Sequence, residues 1–265
     1  MKLILITGLD GSGKSTLLSR LEGLRNEVPH AFLRVPVIDA EKFNGNKELH
    51  QTSLFINKLN EYADNFNFHP LKVCALFSSM IIFNELLKEL KNKNCSVIFC
   101  ERHPLIDTGV YARFYADKMN PDSLPIAIRD HFEKEYPEEL IYLLNLLPDA
   151  EFDTEKGKLY SFINYIYNWF FIEKKFELID LKKLFAIELP DKIFYLKADP
   201  EILMKRLSNR KIFEAHESKS VFEQLIPFYN SLFIDLGVDI EITEANTSEN
   251  LNAAFEKLKL KYFND

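Results

Sequence analysis

The stretch GLDGSGKST, Gly8 to Thr16, follows directly on the apolar run LILIT at positions 3–7. It satisfies the pattern G-x-x-x-x-G-K-[ST] through Gly8, Gly13, Lys14 and Ser15. In such a loop the glycines let backbone N–H groups turn toward an anion, and the following helix adds the positive end of its dipole. Lys14 supplies a charge for phosphate and the Ser15 hydroxyl a ligand for Mg²⁺. The stretch therefore predicts a site for ATP or GTP with Mg²⁺ between a strand and a helix.

The nucleotide site is expected to use most of this loop. Its predicted members are Gly8, Asp10, Gly11, Ser12, Gly13, Lys14, Ser15 and Thr16.

Apolar runs and helical periodicity alternate along the rest of the chain. Short apolar runs predict strands at 2–7, 31–36, 96–100, 192–197 and 238–243. Helical spacing predicts helices at 14–25, 46–63, 71–91, 105–118, 122–134, 200–210, 218–235 and 248–262. This alternation is typical of a doubly wound α/β fold, here a parallel five-stranded sheet with helices on both faces. We expect a single domain over 1–265, with 137–188 as a helical insertion in it.

Composition limits the class of partner. The 265 residues carry a formal net charge of −7, whereas a protein that binds a nucleic-acid polymer needs a basic face. No run of 18 apolar residues predicts a membrane span, so we expect no membrane partner. The three cysteines fit neither a zinc pattern nor a disulfide framework, which favours free thiols in a reducing cytoplasm. The aromatic run at 160–176 favours a core or a subunit interface over a cofactor site.

A second polar cluster, Glu101-Arg102-His103, ends the apolar strand at 96–100. Ligands of open parallel sheets bind beyond the carboxyl ends of the strands, so the cluster is expected to face the phosphates. Glu101 there can hold Mg²⁺ or accept a hydroxyl proton, and Arg102 can neutralise charge on a phosphate. His103 has an open role, either in the site or as a cap.

These motifs together resemble the thymidylate kinase and deoxynucleoside kinase superfamily of P-loop kinases. Thymidylate kinases carry an aspartate in the loop, a D-R-[YH] triplet, a helix that begins L-F-[SA], and a P-D…P-E segment followed by an arginine-bearing lid. The corresponding stretches here are GLDGSGKST (8–16), ERH (101–103), LFS (76–78) and PDKIFYLKADPEILMKRLSNR (190–210). A local stretch at 101–121 is also similar to herpesvirus thymidine kinases. The resemblance covers 1–36, about 71–121 and 190–262.

The resemblance implies roles for individual residues. It implies that Asp10 contacts the sugar 3′-hydroxyl, that Phe77 stacks on the base, and that Arg102 binds the acceptor phosphate or the reacting 5′ oxygen. Lid arginines that close on the transferred phosphoryl correspond to Arg206 and Arg210. Arg113, with Tyr111 beside it, corresponds to residues near the base. It also implies that the chain can form a homodimer through its helices.

Two departures from the superfamily bear on the acceptor. Met80 and Ile81 stand near the position where thymidylate kinases carry a base-reading arginine. Val37 and Ile38 stand where those kinases carry an arginine for the acceptor phosphate. Fewer cations fit a nucleoside acceptor, which needs a general base.

The carboxylates Glu101, Asp39 and Glu41 are candidates for that base. The expected activity is transfer of the ATP γ-phosphoryl, with Mg²⁺, to a pyrimidine deoxynucleoside monophosphate or deoxynucleoside. A P-loop kinase for another small acceptor, and a nucleotide-binding switch protein with no phosphoryl acceptor, are the alternatives.

Overall fold

The computed structural model of the chain describes residues 1–24, 29–66, 68–115, 120–150, 153, 155–208, 218–234 and 236–263. The chain forms two compact units. The first consists of Met1–Leu33, Leu90–His103 and Leu189–Asp265, and the second of Arg34–Glu89 and Pro104–Glu188.

The first unit is built on one sheet of five strands. The strands are β1 (Lys2–Thr7), β2 (His30–Leu33), β3 (Val97–Cys100), β4 (Lys192–Lys197) and β5 (Asp239–Glu244). Their order across the sheet is β2-β3-β1-β4-β5, and every adjacent pair is parallel. The predicted fold class, an α/β protein with a five-stranded parallel sheet, is confirmed.

Strand β1 lies at the centre of this sheet. Its Leu5 pairs with Cys100 of β3 on one side and with Ile193 of β4 on the other. Leu5 and Ile6 are completely buried. An unbroken apolar run is what a parallel strand covered on both faces requires, and β1 places the phosphate loop directly beyond its carboxyl end.

Twelve α-helices occur in the described residues: α1 (Lys14–Glu22), α2 (Lys47–Phe66), α3 (His69–Ile81), α4 (Phe83–Asn92), α5 (Pro104–Tyr115), α6 (Ile126–Glu135), α7 (Pro137–Asn145), α8 (Lys158–Tyr167), α9 (Leu178–Phe185), α10 (Pro200–Leu207), α11 (Lys219–Ile234) and α12 (Ser248–Tyr262). In the first unit, α1 packs against α12 and α10 against α11. The second unit contains α2, α3 and α5 to α9, with α2 packed against α3 and α7.

The helix predicted at 71–91 is instead two helices, α3 and α4. Ile82 between them has φ −80° and ψ −3°, so the chain turns there, and the two axes meet at 41°. The apolar period continues through Ile82, which is itself buried, so the pattern alone does not reveal the break. Strand β2 is also shorter than predicted. It ends at Leu33, before Pro36, a residue with no N–H to give to a sheet.

Among the described residues, no single helix combines the length and the apolar character needed to cross a membrane. The bent pair of α3 from Pro70 onward and α4 passes that test only when its two helices are taken together.

The segment 137–188 contains α7, α8 and α9, and a π-helical turn follows α8 directly. The turn spans Asn168–Ile172 and buries Trp169 and Phe170, while Phe171 and Ile172 are exposed. The aromatic run, predicted to lie in a core or a subunit interface, therefore has two buried and two exposed apolar residues in this turn.

Candidate active site

The phosphate loop in the first unit depends on glycine for steric reasons. Gly8 has φ +148°, and a Cβ built on it would lie 2.5 Å from the carbonyl oxygen of Leu196. No side chain fits at that distance, so the loop can pass β4 closely only with glycine there. The Ser12 N–H donates to the Leu9 carbonyl at 3.1 Å and closes the turn. The Ser12 hydroxyl is buried and has no hydrogen-bond partner among the residues that the structure describes.

The start of α1 is open to an anion. Its N-cap is Gly13, at φ 102°, which provides no side-chain cap, and no acidic residue stands in the first turn. The N–H groups of that turn and the helix dipole therefore have no competing side-chain acceptor at the N-cap. A cavity of about 310 Å³ lies at this end of the helix. It is lined by Asp10, Gly11, Gly13, Lys14, Ser15, Thr16, Glu101, Arg206 and Leu251.

Lys14 is held inside the loop. Its side chain is only 4% exposed, and Nζ donates to the Leu9 carbonyl at 3.0 Å. Nζ also lies 3.5 Å from Oδ1 of Asp10. A buried ammonium needs such acceptors, and phosphate oxygens are acceptors of the same kind with greater charge.

Arg102 reaches the loop from the carboxyl end of β3. Its Nη2 donates to Oδ1 of Asp10 at 2.9 Å, and both side chains are largely buried. Lys14, Asp10 and Arg102 thus form a continuous line of alternating charge. The predicted meeting of the loop with the Glu101-Arg102 cluster is present in the structure.

Ser15 and Glu101 form a second polar pair in the cavity. The Ser15 hydroxyl donates to Oε1 of Glu101 at 2.8 Å. Mg²⁺ binds oxygen at about 2.1 Å in an octahedron, in which neighbouring ligands lie about 2.9 Å apart. The spacing of these two oxygens fits a shared Mg²⁺. No group of three or more His, Cys, Asp or Glu that could hold a metal occurs in the described part of the chain.

Arg206 approaches the loop from α10. Its Nη1 donates to the Gly11 carbonyl at 3.1 Å, and burial lowers the pKa of its guanidinium. The group is therefore partly stripped of water beside the cavity. Arg210, the other predicted lid arginine, lies outside the described residues.

Two of the predicted base-contacting residues line one small cavity in the second unit. Phe77 and Tyr111 are buried there, on α3 and α5. Met80 and Thr108 are also part of the lining. The cavity measures about 10 Å³, which is room for a single water molecule.

Arg113, the third predicted residue of this group, does not line the cavity. Its guanidinium lies over the ring of Phe176 at 4.9 Å from the centroid, and Nη2 is 3.5 Å from Oε1 of Glu177.

The other candidate carboxylates lie on the surface of the second unit. Asp39 is 57% exposed and pairs with Lys42, while Glu41 is 80% exposed and lies 3.5 Å from His50. His103 is completely buried.

Two apolar residues beside these sites were not predicted from the sequence. Leu251 of α12 lines the cavity at the start of α1 and lies 3.0 Å from where a Cβ on Gly13 would stand. Phe170 packs against Phe77, with ring centroids 4.9 Å apart. Neither belongs to a motif, and the only signal for Phe170 was its place in the aromatic run.

No protein-family model and no curated protein sequence matches the chain. Among solved structures, the chain is similar to a thymidylate kinase from Candida albicans, with a TM-score of 0.51 and 19% sequence identity. The match covers 100% of this chain and 95% of that one. Together with the parallel sheet and the phosphate loop, it shows that the chain has the P-loop kinase fold of thymidylate kinase.

Proposed function

We propose that the chain transfers the γ-phosphoryl group of ATP to a pyrimidine deoxynucleoside monophosphate or deoxynucleoside. The observation that carries this proposal is the charged line from Lys14 through Asp10 to Arg102. A loop that only binds a nucleotide needs the lysine. The added aspartate and arginine provide a hydrogen-bond acceptor and a cation beside it, which suit a sugar hydroxyl and an acceptor phosphate or 5′ oxygen.

Phosphoryl transfer requires mainly that the protein position the two substrates and place positive charge near the transferred group. The bond from the γ-phosphorus to the β–γ bridging oxygen breaks as the bond to the acceptor oxygen forms. In our proposal Lys14 holds the β- and γ-phosphates, and Arg102 and Arg206 neutralise charge as it moves. Arg210 is proposed as a further lid arginine.

Ser15 and Glu101 would hold Mg²⁺, which supplies positive charge to the phosphate oxygens. For a nucleoside acceptor, Glu101 is also the favoured base for the 5′-hydroxyl proton. Asp39 and Glu41 are exposed and do not line the cavity at the start of α1, whereas Glu101 does.

For the acceptor, we propose that Phe77, Tyr111 and Arg113 receive the base. Support comes from the shared apolar cavity of Phe77 and Tyr111, since nucleobases bind well against aromatic faces. We further propose that 1–265 acts as one kinase domain, with 137–188 as a helical insertion in it.

A coupled ADP-release assay across a panel of nucleosides and nucleoside monophosphates tests the activity. Stimulation by a pyrimidine deoxynucleoside or its monophosphate is the expected result, and it also identifies which of the two is the acceptor. Stimulation by an unrelated small alcohol or acid, and by no nucleoside or monophosphate, would contradict the proposed acceptor class and identify another. Tight ATP binding without stimulation by any acceptor would contradict the kinase and favour a nucleotide-dependent switch.

A further inference from the structure

One short stretch of the second unit contacts both Phe77 and Arg113, the residues proposed to meet the base from two different helices. Phe170 packs on Phe77 with centroids 4.9 Å apart, and Phe176 packs on Phe170 at 5.7 Å. The guanidinium of Arg113 lies over the Phe176 ring, 4.9 Å from its centroid, and Nη2 of Arg113 lies 3.5 Å from Oε1 of Glu177. We call Phe170, Phe176 and Glu177 the acceptor-side cluster. It belongs to the segment 137–188, for which the kinase resemblance offers no counterpart.

The cavity beside Phe77 is too small for a nucleobase as it stands. Its volume of about 10 Å³ holds one water molecule, so a base can enter only if a lining side chain moves. Phe77 is 4% exposed and Phe170 1% exposed. In such close packing the Phe77 ring can move toward Phe170 only if Phe170 moves as well; otherwise Phe170 blocks the movement. The size of Phe170 therefore limits how far the cavity can open.

The backbone at Phe170 is unusual. Phe170 stands in the π-helical turn Asn168–Ile172, where each turn holds an extra residue relative to an α-helix. The turn buries Trp169 and Phe170 and leaves Phe171 39% exposed, packed against Tyr167. Of these two adjacent phenylalanines, Phe170 packs against Phe77 and Phe171 lies at the surface.

We propose that the acceptor-side cluster sets which base the kinase accepts: Phe170 limits the size of the base, and Phe176 with Glu177 holds Arg113 in position to meet it. These are positioning residues. The inference rests on the proposed function for the placement of the acceptor, and it adds the part of the chain that determines specificity there.

Size selection is tested with Phe170→Leu, and Phe171→Leu is its matched control. The ratio of kcat/KM for purine over pyrimidine monophosphates is measured in both, with the KM for ATP and the melting temperature. We expect Phe170→Leu to raise the ratio about tenfold, the scale of discrimination by a few methylene groups. The ATP KM and the control are expected to stay within twofold of wild type. An unchanged ratio in the folded Phe170→Leu protein, or an equal change in Phe171→Leu, would overturn the inference.

The Arg113 arm is tested with Phe176→Leu, a half-buried position that tolerates truncation better than the core. Loss of the cation–π contact is expected to raise the acceptor KM about two- to fivefold with kcat unchanged. Phe176→Tyr keeps an aromatic face and is expected to restore the wild-type KM. A loss of kcat alone, or no rescue by tyrosine, would count against the role of the cluster.

Acceptor binding can also be followed without turnover. Trp169 is the single tryptophan of the chain and adjoins Phe170, so acceptor binding is expected to change its emission. If wild-type protein transfers no phosphoryl group but pyrimidine monophosphates still change this emission, and Phe176→Leu weakens that binding, the proposed reaction fails and the cluster's role stands. If no nucleoside or monophosphate changes the emission, the cluster's role fails, whatever the turnover.

Discussion

Arg102 Nη2 lies 2.9 Å from Oδ1 of Asp10, and Lys14 Nζ lies 3.5 Å from the same oxygen. One carboxylate oxygen thus joins the lysine of the phosphate loop to the arginine at the end of β3. The loop aspartate is therefore a link between two cations that the proposed reaction uses for different substrates. Its removal should affect them unequally.

Asp10→Ala is expected to raise the acceptor KM at least tenfold and the ATP KM by less than about threefold. The lost group is a charged acceptor for a sugar hydroxyl and for Arg102, a type of bond worth about 1.5–3 kcal/mol. Lys14 keeps its bond to the Leu9 carbonyl, so its hold on ATP persists. Steady-state kinetics with each substrate varied in turn measure the effect, and Asp39→Ala is the control at an exposed aspartate. Equal losses for both substrates would return Asp10 to a structural role in the loop.

Lys14→Ala and Arg102→Ala are each expected to lower kcat by about a thousandfold, because each removes a preorganised cation from the transferred phosphoryl. Circular dichroism should report an unchanged fold. Arg20→Ala on α1 is the matched control. Arg20 bonds to Asn252 and lies over Phe255, and none of these three residues lines the cavity, so its loss should cost only stability, about 1 kcal/mol. Normal turnover in either the Lys14 or the Arg102 variant would refute the catalytic assignment.

Ser15→Ala and Glu101→Gln are each expected to raise the Mg²⁺ concentration needed for half-maximal activity by about tenfold or more. The reason is the 2.8 Å spacing of their oxygens, which suits two adjacent ligands of one ion. A magnesium titration at saturating ATP gives the measurement. Ser19→Ala, an exposed serine on the same helix, should leave the titration unchanged. Loss of activity with an unaltered magnesium midpoint would assign both residues another role.

Gly8→Ala is expected to lower both the melting temperature and nucleotide binding. The new Cβ would meet the Leu196 carbonyl at 2.5 Å, at a backbone φ of +148°, and such strain costs of the order of 1–3 kcal/mol. Gly45→Ala is the control, because beyond its two chain neighbours no atom of the described residues lies within 4 Å of a Cβ there, and its φ is not positive. That change should be neutral or slightly stabilising. Equal melting temperatures for the two variants would contradict the predicted clash.

Thiol reactivity should separate the three cysteines. Burial raises the pKa of the Cys74 thiol to about 12. Cys100 is also buried, and Cys95 is half-buried. The thiolate is the reactive form, so at pH 8 we expect one fast thiol per native chain, Cys95, and three after unfolding. Reaction with an aromatic disulfide reagent counts them. A Cys95→Ser protein that still reacts quickly would contradict this order.

Sequence predicted the strands well because buried parallel strands are continuous apolar runs. The bounds of β1 and β4, and those of α12 with its Thr247 capping box, agree with the structure. The sequence pattern does not reveal the break at Ile82, because the apolar periodicity continues across it. Only the backbone dihedral ψ of Ile82 departs from its helical value. The order of the strands in the sheet could not be predicted either, because strands of similar apolar composition carry no signal for which strand pairs with which.

The candidate site was predictable where chemistry requires particular residue types. The loop and the Glu101-Arg102 cluster could be expected to meet, because both follow strands of one parallel sheet. The bond from Arg102 to Asp10 could not be predicted, since it depends on the register of β1 with β3. Phe170 and Leu251 carry no such chemistry, and apolar residues that shape a site look like any other core residues in sequence.

The central place of β1 has a consequence for how the protein folds. The strand precedes the other four along the chain, yet its partners begin at Val97 and Lys192. Gly8 also packs against the Leu196 carbonyl of the second partner. Such distant pairings close large loops and form late, so nucleotide binding should be acquired with the slowest phase of refolding. A chain interrupted before β4 has every residue of the GLDGSGKST motif and still lacks half of the support that shapes it.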